Sequence, residues 1–97
     1  MDYKISQEAN NDLEKIWLFT HENWSTQQAD RYINLIFNEI EHIALNPETG
    51  KDYSHVRKKY FKVRVKSHFI FYKPKKREIE IIRILHQRMD IESRLNE

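Results

Sequence analysis

Cysteine is absent from the 97-residue chain, glycine occurs once and proline twice. Without cysteine there is no disulfide framework, thiolate metal site or cysteine nucleophile. A single glycine excludes a glycine-rich phosphate loop, and no apolar run approaches the roughly 18–20 residues of a membrane span. The chain starts with no basic segment followed by an apolar one. We therefore expect no signal peptide and a cytoplasmic protein without membrane contact.

Length and charge distribution add two further expectations. Ninety-seven residues predict a single domain over residues 1–97. The net charge of +2 hides an asymmetry: residues 1–50 hold three basic and nine acidic residues, whereas residues 51–97 hold fourteen basic and six acidic ones. Two interpretations stay open at this point. The halves attract each other across the fold, or the second half builds a basic surface for an anionic partner.

Two amphipathic helices are predicted in the first half of the chain. After a short alternating strand at residues 3–6, apolar residues recur at helical spacing over residues 9–20, with Ser6 as the expected N-cap. The segment HENW interrupts this pattern. Ser25 then opens a capping box, and a continuous apolar stripe over residues 29–44 predicts the second helix, which stops before the first proline.

Beyond a loop that holds the only glycine, the apolar period changes from helical to two. The segments KYFKVRVKSH, HFIFYKP and EIEIIRIL predict three strands that form an antiparallel meander, with the third in the interior of the sheet. The segment RMDIESRLNE is compatible with a short C-terminal helix. The predicted fold class is α+β in the order β-α-α-β-β-β, with an antiparallel sheet and the helical hairpin packed on one face.

One face of the first predicted meander strand is basic. Lys62, Arg64 and Lys66 alternate onto it, residues 57–59 are basic too, and no acidic residue occurs between positions 58 and 76. An antiparallel sheet often exposes one face to water, so an ordinary solvated surface is one explanation. Adjacent like charges are destabilising, however, which favours an anionic partner. Nucleic acid and an acidic protein segment are both candidates.

Histidine and serine patterns give no sign of catalysis or metal binding. No two of the five histidines have the spacing of an HExxH motif, and cysteine is absent, so we expect no metal site and no cofactor. The serines fall at helix caps and turns and carry no nucleophile-elbow motif. A serine–histidine–acid triad is therefore not expected.

The end of the last strand, RILHQRMD, concentrates ionisable residues. Simple alternation places Arg83 on the face of Ile81 and Leu85, and His86 on the opposite face. An arginine on an apolar face needs a carboxylate, for which Asp90 or a helix acid would serve. The alternative is an active role, because lysine, arginine and histidine around a phosphate can stabilise charge and move protons. The structural role is favoured.

The segments SQEANNDLEKIW, QADRYINLIFNEIEHIALNPETGKD and SHFIFYK followed by IEIIRILHQRMD resemble the ParE toxins of type II toxin–antitoxin systems, within the RelE/ParE superfamily. The resemblance covers nearly the whole chain and is most specific in RILHQRMD. The family fold has the order β-α-α-β-β-β, in agreement with the order predicted above.

This resemblance implies a toxin that binds DNA gyrase and traps cleaved DNA, with growth inhibition and plasmid stabilization as consequences and no catalytic residue of its own. It also implies a ParD-like antitoxin in a hetero-oligomeric complex, with a DNA-binding dimer and an acidic amphipathic C-terminal segment that folds on the toxin. The positions expected to contact the target are Arg57, Lys58, Lys59, Lys62, Arg64, Arg83, His86 and Arg88. Those expected to contact the antitoxin are Ile16, Phe37, Tyr60, Lys62 and Arg64.

The sister RelE-like branch implies an alternative, ribosome-dependent cleavage of mRNA. Its active members place basic residues on the sheet and a tyrosine or histidine near the C-terminus. The positions here that could play those roles are Lys62, Arg64, Arg83 and His86. The polar tail after His86 departs from that pattern, which favours the gyrase-binding toxin. A nontoxic component of such a complex is the third alternative.

Overall fold

The computed structural model describes residues 2–96 and has an α+β fold, as predicted. Its elements are β1 (Asp2–Ile5), α1 (Gln7–Asn23), α2 (Thr26–Leu45), a 3-10 turn (Pro47–Thr49), β2 (Lys51–Asp52), β3 (Phe61–Val65), β4 (His68–Pro74), β5 (Glu78–His86) and α3 (Ile91–Leu95). The strands form one sheet in the order β1-β5-β4-β3-β2. The meander β3-β4-β5, the interior position of β5 and the short C-terminal helix agree with the sequence-based expectations.

Both long helices begin at the predicted caps. Ser6 Oγ accepts the Ala9 N–H at 3.0 Å, and Ser25 Oγ accepts the Gln28 N–H at 3.0 Å, so each hydroxyl satisfies an orphan donor of its first turn. The predicted interruption at HENW is wrong in its position, because α1 continues to Asn23. Polar residues in this last turn are exposed and cost the helix little. Only two residues then join the helices into a hairpin.

The sheet is mixed rather than antiparallel throughout. Strand β1 runs parallel to β5, with Tyr3 opposite Ile79 and Ile5 opposite Ile81, while β5, β4, β3 and β2 pair antiparallel. Strands joined by short turns must run antiparallel, but β1 and β5 are far apart in the chain and have no such constraint. Sequence alternation alone cannot reveal this direction.

Each face of the sheet carries its own hydrophobic cluster. The larger one lies between the helical hairpin and the sheet and includes Ile36, Ile40, Ile70, Ile81 and Ile84, all of them buried. The smaller one lies on the opposite face under the 53–60 loop and α3. Its buried members are Tyr60, Phe71, Leu85 and Leu95. Burial on both faces explains why β5 is apolar at successive positions.

A β-bulge in β5 corrects the predicted facing of its last residues. Tyr72 pairs with Ile81 and Phe71 with Arg83, so Ile82 is an extra residue without a partner on β4. A bulge of this kind inverts the alternation that follows it. As a result, Leu85 belongs to the smaller cluster while Ile81 belongs to the larger one, and the prediction that they share a face is wrong.

Asp12 ties α1 to the uncovered edge of β5. Its carboxylate accepts from Arg83 Nε at 2.8 Å and Nη2 at 3.0 Å, and from the Ile84 backbone N–H at 2.9 Å. Arg83 Nη1 also donates to the carbonyl oxygen of Arg94 at 3.2 Å, which connects α3. A helix carboxylate is thus the partner of Arg83, as anticipated. Asp90 instead accepts the Ser93 N–H at the start of α3.

Gly50 is required where the loop after α2 passes over Tyr72. Its N–H donates to Tyr72 Oη at 2.8 Å, and that hydroxyl donates to the Pro47 carbonyl at 2.7 Å. A Cβ at position 50 would overlap Tyr72 Oη and lie 2.8 Å from Cε1 and Cζ of the same ring. The close approach of the backbone to a fully buried ring explains the single glycine of the chain.

Candidate functional site: an apolar groove and a basic sheet face

A large groove opens between the helical hairpin and the β3–β4 end of the sheet. Its volume is about 1130 Å³, which exceeds the roughly 300–1,000 Å³ of pockets for small molecules. Four of its lining residues are large apolar side chains left exposed by the fold: Phe19 (64%), Trp24 (74%), Leu35 (39%) and Met89 (43%). A group of exposed apolar side chains of this kind is typical of an interaction site.

The rim of the groove is basic. Lys15, Arg31 and Lys66 line it and are exposed, whereas Asp12, its one acidic lining residue, is held by Arg83. Lys66 lies in the two-residue turn between β3 and β4 with φ of 53°, a conformation uncommon for a residue other than glycine. Apolar side chains beside a basic rim are complementary to an amphipathic segment whose polar face is acidic.

Two imidazoles and a phenol meet on the groove floor. The rings of His68 and His86, cross-strand neighbours on β4 and β5, lie 5.1 Å apart in a T-shaped contact. Tyr32 Oη lies 2.6 Å from His68 Nδ1, and His86 Nδ1 accepts the Arg88 backbone N–H at 3.1 Å. His86 therefore caps the turn after β5 and does not pair with Asp90.

Burial shifts the protonation equilibria of this group. It lowers the pKa of His68 from 6.5 to about 4, an effect that the nearby His86 reinforces and Asp12 opposes. It also raises the pKa of Tyr32, against the opposing effect of a backbone hydrogen bond from Ser67. At neutral pH the floor thus holds an uncharged His68 beside an uncharged phenol, which suits contact with apolar side chains.

The opposite face of the sheet carries the positive charge. We call it the basic face; it comprises Lys51, Arg57, Lys58, Lys59, Lys62 and Arg64. Lys62 Nζ lies 4.6 Å from the ring centroid of Tyr53 and 4.7 Å from that of Phe69. Burial lowers the pKa of Lys62, and the charge of Lys51 opposite it in the sheet acts in the same direction. Arg64 donates to the Lys66 carbonyl at 2.8 Å and to Gln87 Oε1 at 2.7 Å.

The residues expected to contact a target are divided among three places. Five of them belong to the basic face, and Arg88 is exposed in the turn after β5, whose Gln87 side chain accepts a hydrogen bond from Arg64. Arg83 is bonded to Asp12, and His86 lies in the groove. The four positions named for mRNA cleavage consequently do not converge, because Lys62 and Arg64 point away from the face that carries His86. Their contact with any target stays a prediction.

The residues expected to contact an antitoxin are divided as well. Ile16 lines the groove, and Phe37 packs half-buried in the larger cluster. Tyr60 is buried in the smaller cluster on the other face, near Lys62 and Arg64. Sequence reasoning missed the exposed groove residues Phe19, Trp24, Leu35 and Met89. A signal existed for Phe19, which is large, apolar and outside the core stripe of its helix.

Two structural features are absent within residues 2–96, a cluster of metal-ligating side chains and a membrane-spanning helix. No group of three or more histidine, aspartate or glutamate side chains there is arranged to hold a metal ion. In the same part of the chain, no helix is long and apolar enough to cross a membrane.

Comparison with known proteins identifies the family to which this chain belongs. Residues 3–91 match the family of the ParE toxin of type II toxin–antitoxin systems, parDE. The chain belongs to this family and is thus a toxin component of a ParDE-type system, which implies an antitoxin partner.

Individual relatives agree with this assignment. The chain is 35% identical over 94 residues to Toxin ParE1 of Mycobacterium tuberculosis (strain ATCC 25618 / H37Rv), with 96% of each protein covered. It is 36% identical over 93 residues to Toxin ParE1 of Caulobacter vibrioides, again with 96% of each covered. Identity to Toxin ParE of Escherichia coli is 32% over 94 residues, covering 96% of this chain and 91% of the relative.

A solved structure supports the fold independently. A chain of the chromosomal ParDE system from P. aeruginosa superposes with a TM-score of 0.78 at 17% sequence identity, covering 89% of this chain and 95% of the other. At this level of identity the likeness establishes the shared fold, while roles of single residues have to be argued from this chain.

Proposed function

We propose that this protein is a cytoplasmic toxin that poisons DNA gyrase, and that a ParD-like antitoxin neutralises it by placing an acidic amphipathic segment in the groove. The groove is the observation that carries the antitoxin part of the proposal. It offers apolar and aromatic walls and a basic rim on a chain whose family implies an antitoxin.

The size of the groove favours a helical segment as its partner. Groove-binding helices insert apolar anchors at positions i, i+3 or i+4, and i+7 between the walls of the groove. Phe19 and Trp24 would pack against such anchors, while carboxylates on the flanks of the helix would meet Lys15 and Arg31. A segment that folds on binding gives up part of the interaction energy as ordering entropy, and large apolar contacts compensate for it.

Gyrase as the target rests on the family and on the distribution of charged residues. The family resemblance implies a toxin that acts by binding and leaves the cutting of DNA to gyrase. Such a toxin needs an exposed, charged surface rather than a convergent catalytic cluster. The basic face provides such a surface, and the separation of His86 from Lys62 and Arg64 removes support from the mRNA-cleavage alternative.

A supercoiling assay tests the target. Purified toxin is incubated with gyrase, ATP and relaxed plasmid, with and without the antitoxin. We expect supercoiling to be inhibited and linear plasmid to accumulate after protein digestion, and we expect stoichiometric antitoxin to reverse both effects.

Unaffected supercoiling would contradict the gyrase proposal if the same preparation is folded by circular dichroism and arrests growth in cells. In that case the next assay is transcript cleavage on ribosomes, with His86→Ala and Arg83→Lys as the first variants. A protein that neither inhibits gyrase nor arrests growth would be the nontoxic complex component instead.

A further inference from the structure

The basic face is separate from the groove, and the chain segment that carries it has few acidic residues. Burial raises the pKa of Tyr53, and Glu92 of α3 lies close enough to this face to raise it further. Between residues 51 and 66 the chain has seven basic residues and one acidic residue, Asp52. The Asp52 carboxylate already accepts the Ser54 N–H at 2.7 Å. Within residues 2–96, no side chain of the basic face forms an ion pair. Lys51 and Lys62 even face each other across two strands, an arrangement that costs stability unless an anion binds there.

Aromatic rings hold the central lysine of this face in place. The Lys62 ammonium lies over the half-buried rings of Tyr53 and Phe69, and Arg57 lies 5.7 Å from the ring centroid of Tyr60. Cation–π contacts of this kind orient a positive charge without neutralising it. Lys62 is therefore positioned in advance, and within residues 2–96 its ammonium is not paired with a carboxylate.

The 53–60 loop presents the remaining charges in a fixed conformation. Its ends are joined by a hydrogen bond from the Tyr53 N–H to the Tyr60 carbonyl at 2.8 Å, and the Tyr60 N–H donates to the Arg57 carbonyl at 3.1 Å. Lys59 has φ of 68°, where glycine or asparagine would be less strained. A strained backbone that carries an exposed lysine is typical of a position used for binding.

A nucleic acid backbone matches this surface better than an acidic protein segment does. A protein helix needs an apolar trough, and the trough of this molecule lies on the other side of the sheet. Phosphates instead need a row of lysines and arginines spread over a surface, and half-exposed rings beside them can contact sugars or bases. The six basic side chains of the basic face are spread over a loop and two strands, as contact with several phosphates requires.

We propose that the basic face binds the phosphate backbone of DNA, so that the toxin holds the DNA engaged by gyrase as well as the enzyme. This inference rests on the proposed function and adds a second ligand to it. Phosphate contacts position a protein on DNA without reading sequence. The toxin would accordingly recognise the assembled enzyme–DNA complex, with the basic face contacting DNA phosphates beside its contacts with the enzyme.

The test is DNA binding by the antitoxin-free toxin, since an antitoxin with its own DNA-binding domain would mask the effect. The probe is a fluorescein-labelled duplex of about 20 base pairs, measured by anisotropy from low to moderate salt. We expect binding in the micromolar range, with log K falling against log salt at a slope of about −2.7 to −4.5, as three to five phosphate contacts predict.

Two triple variants of equal charge separate a local site from overall charge. Lys58→Gln/Lys59→Gln/Lys62→Gln removes three charges from the basic face, and Lys15→Gln/Arg31→Gln/Lys66→Gln removes three from the groove rim. We expect the first variant to lose at least about tenfold in DNA affinity at fixed salt and the second to lose less than about threefold. Circular dichroism and urea unfolding check that both are folded.

Equal losses in the two variants, or no measurable binding by the unaltered toxin, would overturn the inference. So would a basic-face variant that keeps its DNA affinity but binds the antitoxin more weakly, because the face would then belong to the protein partner. Each of these results leaves the supercoiling assay unaffected. Inhibition of gyrase by a toxin that does not bind DNA would sink this inference while supporting the proposed function.

Discussion

The two sides of the sheet expose different chemistry, although the same strands build both. On the hairpin side, apolar side chains line a groove, and basic residues occupy only its rim. On the other side, a small cluster is roofed by the 53–60 loop and α3, and the surface above it is basic. The difference shows how a chain of this size can separate an apolar protein-binding surface from a charged one by placing them on opposite faces.

The Arg83–Asp12 pair joins the two sides. Asp12 lies on the helix of the groove side, and Arg83 extends toward the carbonyl of Arg94 in the helix that covers the other side. Neither side is therefore independent of the other in stability, even though their ligands differ.

The largest loss of stability is expected from removing the Arg83–Asp12 pair that joins the two sides. Asp12→Ala leaves Arg83 without its bidentate partner and the Ile84 N–H without an acceptor. Removing one partner of a buried pair typically costs about 3–5 kcal/mol, and we expect about 3–4 kcal/mol in urea unfolding. The control is Glu14→Ala on the exposed face of the same helix, which should cost less than about 0.5 kcal/mol. A cost below about 1 kcal/mol for Asp12→Ala would show that the pair is dispensable.

The second-largest loss of stability is expected from crowding the loop that precedes the basic face, and it tests how that loop is anchored. Gly50→Ala forces a methyl group into Tyr72 Oη and displaces either the ring or the loop. Overpacking of this kind costs about 1–3 kcal/mol, which we expect as a lower midpoint in thermal unfolding. Thr49→Ala, which alters the exposed preceding residue, serves as the control. Unchanged stability of Gly50→Ala would mean that the loop shifts without cost.

A third variant should weaken one function of the groove and leave the fold intact. Trp24 is 74% exposed, so Trp24→Ala should change stability by less than about 0.5 kcal/mol. If Trp24 is an anchor for the antitoxin, its removal should weaken antitoxin binding by about 10- to 100-fold in calorimetry. Leu45→Ala, an equally exposed apolar residue outside the groove, should leave the affinity unchanged. A full-affinity Trp24→Ala variant would place the antitoxin elsewhere.

The smallest effect concerns pH and the groove floor. The folded pKa of His68, about 4, lies below its ordinary value of 6.5. Above pH 6.5 the ring is neutral in both states. As the pH falls below 6.5, the His68 ring binds a proton in the unfolded chain but not in the folded chain. The free energy of unfolding therefore decreases until about pH 4. Because the ring is partly solvated, we expect only about 1 kcal/mol between pH 7 and 5.

Comparison with His68→Gln isolates this contribution from the other titrating groups. The glutamine variant should lose less stability than the unaltered chain over the same pH range, measured by urea unfolding at each pH. Parallel pH profiles for the two proteins would show that His68 titrates normally in the folded state. His42→Gln, at an exposed position of α2, is the matched control.

The sequence by itself determined the elements and most of the fold class. Apolar periodicity, the caps at Ser6 and Ser25 and the short turns of the meander predicted two helices and three strands, because these signals are local. The alternation of Lys62 and Arg64 predicted the basic face for the same reason. Lys66, which was expected on the same face, lies instead in the β3–β4 turn and lines the groove. A carboxylate partner for Arg83 was foreseeable from the cost of an unpaired buried charge.

Only the tertiary structure decided the direction of β1, the bulge at Ile82 and the identity of Asp12 as the partner of Arg83. It also assembled the groove, whose walls come from both long helices and whose floor comes from β4 and β5. Each of these features depends on residues far apart in the chain. Local patterns carry no information on which distant surfaces meet, and packing of the hairpin on the sheet settles that question.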